Sequence, residues 1–159
     1  MQVKSRHHLR SDAVSELESA VSEKLGVELE GSTYEHVEFE ETAWEVVLID
    51  GEPQVASFDG EPFLTVRGAN AYGPERAVVT VDAGAVSFVS NGADVMRPGI
   101  TDADEGIESG DLVAIAEETH GKVLAIGRAR VSGGEMVGEE GKVVDSLHHV
   151  GDELYGFAG

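Results

Sequence analysis

The chain reads as an α+β protein in two parts: a small α/β domain over residues 1–75, then a small β-barrel over residues 76–159. Three observations predict this. Val14, Leu17, Val21 and Leu25 recur at helical spacing near the start. Most later apolar runs are short and bounded by turn residues, the pattern of short strands. Twenty glycines in 159 residues suit the many tight turns of a small barrel.

The elements follow in order. Residues 1–10 carry Lys4, Arg6 and Arg10 without an acid, and read equally as a disordered basic tail or a phosphate-contacting segment. Ser11 and Asp12 offer helix-capping chemistry and Gly26 a stop, which predicts a helix over 11–25. Residues 27–30 and 34–41 alternate apolar and polar side chains, as half-buried strands do. Strands over 44–49, 53–58 and 63–66 form a short meander, joined by Asp50-Gly51 and Asp59-Gly60. Residues 68–74 hold Gly68, Gly73 and Pro74 and mark the domain boundary as a loop.

Beyond it, residues 77–81 form a strand. A short helix around Val86 and Val89 follows Asp82 and stops at Asn91-Gly92. Val95 and Met96 continue extended until Pro98-Gly99, and Val86, Val89 and Met96 are read as core. Residues 102–110 are an acidic loop. Strands over 112–116 and 123–126 meet at a turn near His120-Gly121, and Arg128 and Arg130 extend the second on one face. Residues 142–145 and 148–155 supply the last β structure.

Thirty-one acids oppose eleven bases, a net charge of −20. Such a chain repels itself in dilute buffer, and molar salt shortens the Debye length to about 3 Å and removes most of that repulsion. Few lysines beside a normal apolar fraction therefore predict a salt-adapted cytosol, the alternative being simply an acidic mesophilic domain. The absence of cysteine excludes disulfides, thiolate metal sites and a cysteine nucleophile. No apolar run approaches the ~20 residues of a membrane span, and the start of the chain lacks a secretory apolar core. A cytoplasmic protein without a membrane partner is expected.

The run from Val81 through Gly92, Ala93, Asp94, Met96, Arg97, Pro98 and Gly99 to Ile100 resembles the PUA domain. The stretch Gly110 to Ile115, the strand with Gly127 and Arg128, and the closing segment from His148 also look like that family, so the likeness covers about residues 76–155. The whole chain is similar to stand-alone proteins with a pre-PUA domain, the archaeal relatives of the malignant T-cell-amplified-sequence family. The resemblance implies a small α/β pre-PUA domain followed by a β pseudo-barrel PUA domain. It also implies an RNA-binding protein of translation, acting on tRNA or rRNA, with the small ribosomal subunit and a translation factor as partners and DNA excluded. An accessory subunit that presents substrate to an RNA-modifying enzyme, or a protein–protein adaptor at the small subunit, are the alternatives.

The residues themselves suit RNA. Gly92 and Gly99 would let a ribose-phosphate approach the main chain, though each serves equally as a cap or turn residue. Arg97 offers a planar donor fork for phosphate, or for a surface acid. Asp94 could accept from a base edge or a 2′-hydroxyl. His148 or His149, on opposite faces of one strand, could stack on or bond to the ligand. Lys4, Arg6 and Arg10 would add phosphate contacts.

Other chemistry fails on spacing. Asp102, Asp104 and Glu108 lack the glycine and the final glutamate of a calcium loop. Gly141-Lys142 lacks the leading glycine and the Ser/Thr of a phosphate loop. Adjacent histidines at 7–8 and 148–149 point apart on a strand, so no metal or other cofactor is expected. No catalytic residue is assigned and no enzyme is expected.

Overall fold

The computed structural model describes residues 1–159. It holds two sheets. The first is an antiparallel meander of β1 (Val3–His8), β2 (Tyr34–Phe39), β3 (Glu45–Ile49), β4 (Glu52–Phe58) and β5 (Glu61–Leu64), in that spatial order. Helix α1 (Ser11–Leu25) lies against it through Leu17, Val21 and Leu25. The expected bounds of α1 hold, and Gly26 closes it at φ 67°. Asp50-Gly51 and Asp59-Gly60 both take positive φ, as two-residue hairpin turns require.

The second sheet is a nearly closed six-stranded pseudo-barrel. Its order is β7 (Val95–Met96), β11 (Lys142–His149), β10 (Val123–Ala129), β9 (Leu112–Glu117), β6 (Val78–Val81) and β8 (Ile100–Ala103). Only β6 and β9 pair in parallel. Strand β9 is buried on both faces. Val113 and Ile115 point into the barrel core with Val79, Val81 and Val144. Leu112, Ala114 and Ala116 face the other way, into one core with the first sheet. The chain changes sheet near residue 75, but the apolar interior runs across that change. No helix is long and apolar enough to cross a membrane.

Five local readings need correction. Residues 1–10 are no free tail: β1 pairs along β2, with His7 opposite His36. Residues 27–30 bury Val27 and Leu29 but have no neighbouring strand, so alternation here reflects one-sided burial alone. The acidic segment after Gly99 begins as β8, paired with β6. The last strand stops at His149, and Asp152 caps α4 (Glu153–Gly156) by accepting from the Tyr155 N–H.

The fifth concerns residues 68–74, read as a loop. They lie mostly in α2 (Val66–Tyr72), capped by Thr65, whose hydroxyl accepts from the Gly68 N–H, and ended by Gly73 at φ 68°. Gly68 breaks no helix here because its missing side chain is what lets α2 approach β4. A Cβ at Gly68 would sit 2.0 Å from the Gln54 carbonyl oxygen. Gly68→Ala is therefore expected to cost about 2–3 kcal/mol, read as a lower urea midpoint at fixed salt.

Candidate nucleic-acid interface

The segment after β6 builds a ledge on the barrel. Asp82 starts it: its carboxylate accepts from the Ala85 N–H at 3.0 Å and caps a 3-10 turn that runs into α3 (Val86–Ser90). One turn of helix has two sides. Val89 is buried in the barrel, and Phe88 stands outward, 67% exposed. Gly92 then reverses the chain at φ 91°, and a Cβ there would lie 2.7 Å from the His149 imidazole. That imidazole donates from Nδ1 to the carbonyls of Ser90 and Val150, so His149 braces the turn from beneath.

Asp94 ties the returning chain to β11. One carboxylate oxygen accepts from the Ser146 N–H at 2.8 Å, and the other meets Lys142 Nζ at 2.9 Å. The Ser146 hydrogen bond, helped by Lys142, holds this carboxyl below the ordinary aspartate range. Val95 is buried, and Met96 is 47% exposed. Arg97, Pro98 and Gly99 form a 3-10 turn, and the Gly99 carbonyl accepts from the Asp82 N–H at 2.9 Å, joining the two ends of the segment.

Between these parts lies a groove of about 360 Å³. Phe88, Ala85, Met96, Pro98 and Gly99 are among its apolar lining, and Asp82 and Asp94 also line it. A concavity of about 390 Å³ at the junction of the sheets is lined by Lys24, Arg76, Glu23 and Glu61 among others. There Lys24 meets Glu61 at 3.7 Å and Arg76 donates to the Glu23 carbonyl. That concavity is polar and mostly acidic, whereas the ledge leaves an aromatic ring uncovered.

The expected site residues separate on this frame. Gly92, Ala93, Asp94, Met96, Arg97, Pro98 and Gly99 are contiguous on the ledge. The two glycines pack closely: Gly92 lies over His149, and a Cβ at Gly99 would be 3.0 Å from that of Ala85. Met96 is exposed and not core. Arg97 is tied to backbone: Nε donates to the Glu135 carbonyl at 2.9 Å and Nη1 to that of Glu140 at 3.0 Å. It holds the loop between β10 and β11.

His148 does not belong to a ligand face. It is fully buried, its Nε2 accepts from the Val66 N–H at 3.1 Å, and Nδ1 meets the Asp152 carboxylate at 2.9 Å. Strand alternation turns it into the shared core. Lys4, Arg6 and Arg10 lie on or just after β1, in the first sheet and not on the ledge. Arg6 meets Glu35 at 2.7 Å and donates to the Gly159 carbonyl, and Arg10 lies 3.7 Å from Asp12. Phe88 was missed. The signal was present, since Phe88 falls off the face that Val86 and Val89 define in so short a helix.

A pseudo-barrel with one parallel strand pair carries a capped ledge after its first strand and shares an apolar interior with a helix-backed meander. The PUA domain family matches residues 77–151. An uncharacterized protein of Methanocaldococcus jannaschii is 40% identical over 117 residues, covering 73% of this chain and 72% of that protein. Translation machinery-associated protein 20 of Saccharomyces cerevisiae is 29% identical over 130 residues, covering 72% of each chain. The crystal structure of a hypothetical protein of Pyrococcus horikoshii superposes with a TM-score of 0.86, at 32% identity, over 98% of this chain and 100% of that one. The chain belongs to the PUA-domain proteins, in the stand-alone group that includes archaeal PUA proteins and translation machinery-associated protein 20.

Proposed function

We propose that this protein binds RNA in translation, without catalysis, by seating an unpaired nucleotide in the ledge groove. One observation carries the reading: Phe88, 67% exposed, stands beside a groove of about 360 Å³. Single-stranded RNA is recognised by splaying bases onto such platforms and bonding their edges. Pro98 and Gly99 also line the groove, and the carboxylates of Asp82 and Asp94, each already accepting one backbone N–H, keep lone pairs for a base edge or a 2′-hydroxyl.

The cations near the ledge are engaged already. Arg97 holds carbonyls, Lys142 meets Asp94, and Arg130 meets Asp145 at 2.9 Å. Binding thus draws on stacking more than on phosphate charge, which suits an acidic protein in a salt-rich cytoplasm. The targets we favour are tRNA or rRNA, with the small ribosomal subunit as the setting. A translation factor completes the assembly.

The test is to sediment the tagged protein with small ribosomal subunits at high salt, before and after nuclease, and to sequence RNA crosslinked to it. Loss of association after nuclease, with crosslinks at the ledge, is the expected result. Association that survives nuclease, with no RNA crosslinked, would overturn the reading in favour of a protein adaptor.

A further inference from the structure

A second cluster lies on the first sheet, on the strands that carry the basic N-terminal segment. His36 and Glu38 alternate along β2 and share a face. Glu45 on β3 is the register partner of Glu38, and His7 on β1 is the partner of His36. Pairing register thus gathers two imidazoles and two carboxylates from three strands. Donor atoms of His36, Glu38 and Glu45 all lie within 4.8 Å of one another. The rings of His7 and His36 are 5.2 Å apart.

The two nitrogens of His36 differ. Nε2 is 3.1 Å from a Glu45 oxygen, which fixes the ring. Nδ1 is buried and has no hydrogen-bond partner. If Nε2 carries the proton toward Glu45, Nδ1 is a bare lone pair. It faces Glu38, whose carboxylate oxygen is 3.8 Å away. Two metal–ligand bonds of about 2.0–2.2 Å span roughly that gap. A carboxylate on the far nitrogen is also the usual support for a metal-bound histidine.

We propose that His36 Nδ1, Glu38 and His7 bind a divalent transition-metal ion of the zinc class, with Glu45 orienting the His36 ring. Two imidazoles favour zinc, nickel or cobalt over calcium or magnesium, which prefer all-oxygen sites. The ion would pin the edge strand β1 to β2. Sequence spacing hides the site because its residues converge only through strand register. His8, next to His7, lies on the opposite face with Glu35 as its partner.

The test titrates the full chain with ZnCl2 by calorimetry in molar KCl, which suppresses diffuse ion binding to a chain of net charge −20. One saturable ion per chain is expected. His36→Gln and Glu38→Gln should abolish it, Glu45→Gln should weaken it about tenfold or more, and His8→Ala should leave it unchanged. His7→Ala should also weaken it. Circular dichroism of each variant confirms the fold. Co2+ should give a visible absorption band that vanishes in the His36 and Glu38 variants. Zinc binding unaffected by His36→Gln, or no saturable binding at all, overturns the proposal.

Discussion

Phe88→Ala is expected to weaken RNA binding by about fivefold to a hundredfold while leaving stability within about 0.5 kcal/mol of the parent. The two halves of that statement rest on the same fact. Phe88 is 67% exposed and makes no part of either apolar core, so its removal opens no cavity. A base stacked on an aromatic ring is worth ~1–3 kcal/mol by alanine substitution, which sets the range. Affinity for a short single-stranded RNA at fixed molar salt, beside a urea titration, measures both. Arg97→Ala serves as the contrast. Its guanidinium bonds the carbonyls of Glu135 and Glu140, so its loss should raise amide exchange across residues 135–141. Because the neighbouring cations are already paired, the salt dependence of binding should be shallow. An unchanged affinity in Phe88→Ala, or a slope implying some ten neutralised phosphates, would remove the stacking account.

The sequence foretold the parts whose cause is local. Helix α1 follows from its apolar period and the Gly26 stop, although Ser11 and Asp12 lie inside it and its N-cap is Arg10, with no side-chain capping bond. The Asp-Gly hairpins follow from the need for positive φ. The short helix and turns of the ledge were legible because Asp82, Gly92 and Pro98-Gly99 carry local backbone constraints, whereas their reading as a site came from the resemblance to the PUA domain. What escaped was set by partners distant in the chain. The basic strand β1 exists because β2 offers it an edge. Helix α2 contains Gly68 because β4 lies against it. The tie of Arg97 to carbonyls some forty residues on is likewise announced by nothing in its own neighbourhood. His148 and His149 were correctly set on opposite faces, but alternation alone does not say which face is core.

His148→Ala is expected to cost about 3–5 kcal/mol, the largest stability effect we foresee, because it strikes the joint between the sheets. The ring is fully buried, with Trp44 and Phe58 around it. The Val66 N–H at the start of α2 can only donate, so His148 Nε2 must accept and the ring proton must sit on Nδ1, pointing at Asp152. Removing the ring leaves a cavity, an unanswered N–H at the start of α2 and a carboxylate short of a donor just after β11. Asp152 is the pH-sensitive member. Burial alone would raise its carboxyl. The hydrogen bond from His148 and those from the Tyr155 and His149 N–H groups outweigh burial and hold it below the ordinary range. A carboxyl whose folded pKa is depressed contributes stability above its unfolded pKa of about 3.9 and loses it as pH falls through the folded value. The acid limb of the stability curve should therefore steepen below about pH 4, and Asp152→Asn should flatten it while lowering stability at pH 7. Urea midpoints from pH 2 to 7 at fixed salt read this directly. An acid limb identical in parent and Asp152→Asn would show that the joint does not depend on this carboxylate.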